Sequence, residues 1–262
     1  MVPSRVLDWD GCLNVRDIGG LATAGGRSTR SGSLVRSDVL CRLSQAGRRA
    51  LLDYGVRTIV DVRTPAEVER DWEAYPFHDD AAAGSGYQVP PVRYRNVPFT
   101  SGTDRATWQV MHDAYAAATS REELNRLDLD GHPAGIAAIM GAIAEAEPGG
   151  VLIHCHAGKD RTGLLVALLL SLVGVTDEDV ADDYALTMTS LEGLIADWLS
   201  EMSDDPAEHE RLRRLAEPRR EAMLDTLAYL RQRYGSAERY LLAAGVQPEQ
   251  LARLRERLLD DG

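Results

Sequence analysis

The chain has 262 residues, 44% of them hydrophobic, enough for one large domain or a domain with an appendage. Its formal net charge of −12 argues against nucleic acid as a partner, because nonspecific binding depends on neutralising phosphates. No apolar run is long enough to cross a membrane, and three cysteines (Cys12, Cys41, Cys155) are too few for a disulfide framework. The opening Met1-Val2-Pro3-Ser4-Arg5-Val6-Leu7-Asp8 lacks a secretory apolar region. The expected location is cytoplasmic, with secretion by a route needing no signal peptide left open; Cys12 or Cys41 could protect Cys155 as a disulfide partner, but both are expected instead to be buried inert thiols.

In chain order, the first thirty residues are rich in Gly, Ser and Thr and read as an irregular or hairpin lead-in, closing on a short strand near Ser33 to Arg36. Ser44 caps a helix that Gly55 stops. Val56 to Val62 reads as a core strand, and Thr64-Pro65-Ala66-Glu67 combines a capping threonine, proline at the first helical position and glutamate three residues after the cap. Residues 79 to 91 read as a loop, Val92 to Val97 as a strand, and 104–119, 120–127 and 133–147 as helices. Gly150 to His154 is a buried strand, and Leu164 to Leu170 continues as a helix apolar on all sides. Beyond residue 175 everything reads as helix, with a capped start at Thr176, a break at Ser203-Asp204-Asp205-Pro206, and punctuation at Gly235 and Gly245. The cationic run Arg211, Arg213, Arg214, Arg219 and Arg220, interleaved with Glu210, Glu217 and Glu221, reads as a solvated helix face. Strands alternating with helices predict an α/β fold with a mainly parallel central sheet flanked by helices, ligand binding beyond the carboxyl ends of the strands. The expected division is a core over residues 1–175 and a helical extension over 176–262, packed on the core.

Chemistry concentrates in one strand-to-helix turn, His154-Cys155-His156-Ala157-Gly158-Lys159-Asp160-Arg161-Thr162-Gly163. It holds Lys159, the single lysine among twenty-nine cationic residues, a compact charge where arginine has taken every other position. Unpaired N–H groups from His156 to Arg161 at a helix start can form a nest for a tetrahedral dianion, and the same field favours a thiolate at Cys155. Arg161 can hold two phosphate oxygens through its fork. A thiolate beneath a cradled phosphate is a nucleophile aimed at phosphorus. Rival readings fit less well. A nucleotide-binding loop needs glycine at 153 and a hydroxyl at 160, where the chain has Ile153 and Asp160. A metal site from His154, Cys155 and His156 suffers because adjacent residues at a strand end point to opposite faces, so no metal and no cofactor is expected. A sulfur-transfer turn of rhodanese type does not require an arginine six residues after the cysteine.

The loop resembles the signature of the cysteine-dependent protein tyrosine phosphatase superfamily. Its Ala-Gly-Lys-Asp-Arg-Thr run looks like a bacterial branch that acts on phosphotyrosine and often on phosphoinositides. The resemblance extends through Asn14-Val15-Arg16-Asp17-Ile18-Gly19-Gly20, Arg36-Ser37-Asp38, Asp61-Val62-Arg63-Thr64-Pro65-Ala66-Glu67 and Asp182-Asp183-Tyr184. It implies a phosphatase working through a cysteinyl-phosphate on protein phosphotyrosine, with dual specificity open. A phosphoinositide phosphatase is the first alternative; a module that binds phosphoproteins without turnover is the alternative from another class. Partners are then a phosphorylated protein or a phosphoinositide, with no integral membrane association.

The resemblance also raises the question of the acid, since tyrosine leaves as an anion whose conjugate acid has a pKa of ~10. Many related phosphatases place an aspartate on a separate loop after a hydrophobic-proline pair. The corresponding run here, Asn96-Val97-Pro98-Phe99-Thr100-Ser101, has no carboxylate, and Asp104 comes late. Asp160 resembles the aspartate at that place in the myotubularin and Sac groups and is the first choice, against a structural role pairing with Arg161 or capping the helix. Asp61 is a third candidate, better suited to orienting loop groups. His156, Ala157, Gly158 and Lys159 would bind substrate. Thr162 either stabilises the departing thiolate or is an ordinary helix-start hydroxyl, and His154 bonds backbone near Cys155. Arg16, Asp17, Arg36 and Arg63 read as structural pairs, any of which could reach a second phosphate. The stretch 177–220, with Leu191, Leu194, Trp198 and Met202, is either a mobile lid or a fixed extension of the core.

Overall fold

The computed structural model describes residues 5–71, 92–103, 105–202 and 205–261. Five strands form one sheet in the order β1-β2-β5-β3-β4: β1 Arg16–Asp17, β2 Leu34–Ser37, β3 Val56–Asp61, β4 Arg93–Asn96 and β5 Gly150–His154. β1 runs antiparallel to β2, and every other pairing is parallel. The register brings Ser37 and Asp61 level with His154, so three carboxyl ends meet at the start of the cysteine loop.

Alternation along the strands explains why helices cover both faces. Val151 and Ile153 of β5, with Leu34 and Val60, enter a core built with the later helices, while Leu152, Val35 and Ile59 point into a second core with Trp9, Leu40 and Leu51. Each such aliphatic side chain, fully withdrawn from water, contributes about 1.5–3 kcal/mol. Around the sheet stand α1 Gln45–Asp53, α2 Pro65–Asp71, α3 Arg105–Ala117, α4 Arg121–Gly131, α5 Pro133–Ala144 and α6 Asp160–Leu172. There follow α7 Asp177–Met202, α8 Pro206–Ala216, α9 Arg220–Tyr234, α10 Ala237–Ala244 and α11 Pro248–Leu258. Met223, Leu227, Tyr240, Leu251 and Leu254 of the last three helices join the main core beside α6. α7 and α8 have a small separate cluster, Leu191, Ile195, Leu199, Leu212 and Ala216.

The expected caps are in place: Ser44 accepts from the Gly47 N–H, and Thr64 and Glu67 exchange the reciprocal bonds of a capping box. α4 runs to Gly131 rather than stopping at 127, because Arg121, Asn125 and Leu129 repeat at four-residue spacing along one buried face. Of the arginines read as a solvated face, Arg211 and Arg213 pair locally with Glu208 and Glu210, whereas Arg219 reaches Glu122 of α4 and Arg220 reaches Asp182 of α7. The expected loop at 79–91, Asp104, and Ser203 and Asp204 of the expected break lie outside the described residues. Among the described residues no helix is long and apolar enough to cross a membrane, and no group of three His, Cys, Asp or Glu side chains is placed to hold a metal.

Candidate active site

Cys155 follows the last residue of the central strand, and α6 begins at Asp160, so the loop spans the join between the most buried strand and the most buried helix. Its carbonyls are all engaged away from a common centre. The carbonyl of Cys155 accepts from His154 Nδ1 (2.9 Å), that of His156 from the Val39 N–H (2.8 Å), and that of Lys159 from the Gly163 N–H (2.8 Å). Those of Ala157 and Gly158 accept from Asn14 Nδ2 at 3.0 and 3.1 Å. Among the described residues no backbone acceptor takes the N–H groups of residues 156 to 161. An outward ring of carbonyls with unclaimed amides is what an anion nest requires. Gly158 has φ +63, and a Cβ there would lie 2.3 Å from the Ser37 carbonyl oxygen, so the turn closes only on glycine.

Arg161 leaves the first turn of α6 to meet Glu67 in a two-pronged pair, both N···O distances 2.8 Å. Burial pushes the Glu67 carboxyl up, but the guanidinium and the Thr64 bonds outweigh it and hold the group down at about 2. The pair consumes two of the five guanidinium N–H donors and leaves the rest for a ligand. Glu67 thus does two jobs, capping α2 and aiming Arg161, and only the first was visible in the sequence.

Asp61 is fully buried. Its carboxylate accepts from the Arg63 guanidinium and backbone N–H and from the Tyr94 hydroxyl, and it lies 3.6 Å from His154 Nε2. Burial opposes its ionisation, yet His154 and Arg63 keep its pKa below the ordinary value. Burial lowers that of His154. Arg63 reaches on to Asp71, and Asp17 accepts from the Gly19 and Gly32 N–H groups and the Tyr54 hydroxyl. Arg16 and Arg36 converge on Asp183 of α7, both buried. Each of these four side chains is tied into a structural pairing.

Asp160 pairs with Arg121 of α4 at 3.3 Å and Lys159 at 3.6 Å rather than with Arg161. Lys159 in turn donates to the carbonyl of Ala216, the last residue of α8, at 2.5 Å, and Arg121 Nε donates to the neighbouring Leu215 carbonyl at 2.9 Å. Two cations therefore meet the carbonyl end of a helix dipole, and Ala157 of the loop packs against the α7–α8 cluster. Burial lowers the Lys159 pKa. Arg121 carried no signal in the sequence, since its partners lie far away along the chain. The buried Thr162 hydroxyl has no hydrogen-bond partner among the described residues, and His156 is exposed. All three cysteines are free, and Cys12 and Cys41 are half-buried rather than buried as expected; burial, then Asp38, pushes Cys12 up to about 12, and burial raises Cys41 as well.

A family model described as "Tyrosine phosphatase family" matches residues 7–260. The chain belongs to the tyrosine phosphatase family. Over 279 aligned positions it is 29% identical to the "Triple specificity protein phosphatase PtpB" of Mycobacterium tuberculosis, covering 97% of this chain and 99% of that protein. It is also 31% identical to a "Tyrosine-protein phosphatase" of Nostoc commune, across 86% of this chain and 74% of the relative. Membership makes this α/β protein a protein-tyrosine phosphatase, a hydrolase of phosphoric monoesters, with phosphorylated molecules as its substrates.

Proposed function

We propose that the chain hydrolyses phosphotyrosine in proteins through a cysteinyl-phosphate on Cys155. The observation that carries this reading is the loop itself, with carbonyls engaged outside it, amides unclaimed, a thiol at its base and an arginine fixed by Glu67 at its rim. The Cys155 thiolate attacks phosphorus, the ester P–O bond breaks, and the leaving oxygen takes a proton from Asp160. Water then attacks the phosphorus, gives its proton to the Asp160 carboxylate, and the thiolate departs toward the unpartnered Thr162 hydroxyl. The amides and Arg161 hold the charge on the non-bridging oxygens in both steps. Asp61 and His154 support the loop from beneath. For Asp160 to donate, its pairing with Arg121 and Lys159 must loosen, which ties the chemical step to the end of α8.

Phosphoinositide hydrolysis is the second reading, favoured by the Lys159 and Arg121 cations beside the cradle and by the name of the mycobacterial relative. A second phosphate would replace the two helix-end carbonyls on those cations, with α8 and the part of α7 from Leu191 onward acting as a cover that yields to the better ligand. A binding module without turnover would need no thiol. Cys155→Ser decides between enzyme and binder: turnover of an aryl phosphate should vanish while binding of a phosphate analogue stays measurable. Turnover retained by that variant refutes the mechanism.

A further inference from the structure

An anion cradle fails if any of its peptides turns over, because a carbonyl oxygen facing the bound phosphate repels it. Three of the five loop carbonyls are secured by neighbours in sequence or by backbone: Cys155 by His154, His156 by Val39 and Lys159 by Gly163. The two in the middle, Ala157 and Gly158, have no backbone donor, and Gly158 is the loop residue with positive φ. Their donors come from elsewhere in the sequence. Asn14 Nδ2 reaches both, at 3.0 and 3.1 Å, and an Arg36 terminal nitrogen adds a second bond to the Gly158 carbonyl at 2.8 Å.

The Asn14 amide is itself held in one orientation. It is fully buried, and its Oδ1 accepts from Arg16 at 2.6 Å. A guanidinium offers no acceptor, so the oxygen must face Arg16 and the NH2 must face the loop. Arg16 is anchored by Asp183 and by the Thr187 hydroxyl, and the Asn14 backbone N–H is tied to Asp38 at 3.1 Å. We propose that Asn14 is a positioning residue for the phosphate cradle: its amide, oriented by Arg16 and Asp183, holds the Ala157 and Gly158 peptides with their N–H groups toward the anion. This rests on the phosphatase reading above and adds to it a part of the binding apparatus contributed from more than a hundred residues upstream.

The chemistry separates this role from simple core packing. Asn14→Asp is nearly isosteric but replaces the shared donor with an anionic oxygen aimed at two carbonyl oxygens. Asn14→Ala leaves both carbonyls without that donor and adds no repulsion. If packing were the point, aspartate would be the milder change. If donation is the point, aspartate is the worse one. The experiment measures inhibition of aryl phosphate turnover by inorganic phosphate, and kcat and KM, in wild type and both variants, well below each unfolding midpoint. We expect the phosphate inhibition constant to rise about tenfold in Asn14→Ala and roughly a hundredfold in Asn14→Asp, with KM rising in the same order. An Asp variant no worse than Ala, or inhibition constants within about twofold of wild type beside a lowered midpoint, overturns the proposal. Should Asn14→Asp fail to fold, the folded Asn14→Ala protein decides alone, an unchanged inhibition constant being the contrary result. A wild-type protein that neither turns over aryl phosphate nor binds phosphate would instead sink the phosphatase reading.

Discussion

Glu67→Gln tests whether a carboxylate 94 residues away in sequence sets the arginine of the loop. Glutamine keeps an acceptor oxygen for the Thr64 cap, so the substitution isolates the pairing with Arg161. The Glu67 pKa falls from an ordinary 4.5 to about 2 because Arg161 and the Thr64 bonds together outweigh burial, a preference for the ionised carboxylate of about 3 kcal/mol. Each side chain of the pair is 24% exposed, and solvent screening, with the share of the shift that the Thr64 bonds supply, leaves about 1.5–2 kcal/mol to the pair. A folded-state pKa below the unfolded value means this stability is fully present above about 4.5 and is lost as pH falls toward about 2. Denaturant unfolding should therefore show Glu67→Gln less stable by about 1.5–2 kcal/mol at pH 7, with the gap narrowing below about pH 4.5. Freed of its partner, Arg161 keeps its charge but not its aim, so inhibition by phosphate should weaken by about tenfold. Equal stabilities at pH 7, or a gap that stays constant to pH 3.5, would refute the pairing argument.

Asp160→Asn should slow a phosphate ester with a poor leaving group by ~10²-fold or more and an activated one far less, because the latter departs without a proton. Equal losses would make Asp160 a shaping residue of the loop. Lys159→Ala removes the donor to the Ala216 carbonyl, so limited proteolysis between α7 and α8 should quicken. Turnover of a multiply phosphorylated inositol lipid should also drop several-fold more than that of a phosphotyrosine peptide, and unchanged proteolysis would show that the lysine does not hold α8 down.

What the sequence disclosed and what it withheld divide along physical lines. The strand Gly150–His154, the turn and the helix after it were legible because a continuous apolar run and a local motif specify them within about twenty residues. Ser44 and Thr64 were legible as caps because capping is a contact between residues three apart. Asn14, Glu67 and Arg121 were not legible as parts of the site, since each acts on it across many residues of chain. The partner of Lys159 is a backbone carbonyl, a group every residue has, so no residue type could announce it. α4 ran past its expected end because a buried Leu129 outweighed the polar residues around it.

The small cluster of Leu191, Ile195, Leu199, Leu212 and Ala216 stands apart from the main core, and this gives the molecule two tiers of cooperativity. Opening α8 with the part of α7 from Leu191 onward breaks a handful of apolar contacts and two helix-end bonds, whereas the start of α7 is held in the main core by Val180, Ala181 and Tyr184 and by the Asp183 ion pairs; disturbing the loop means pulling on the central strand and on α6. Partial unfolding should begin at the first tier and leave the second intact, so amide exchange in α8 should be governed by local opening and that in β5 by global unfolding. On the proposed mechanism, substitutions in the outer tier would retune which phosphates reach Cys155, and how fast, while the inner tier would preserve the geometry of the reaction.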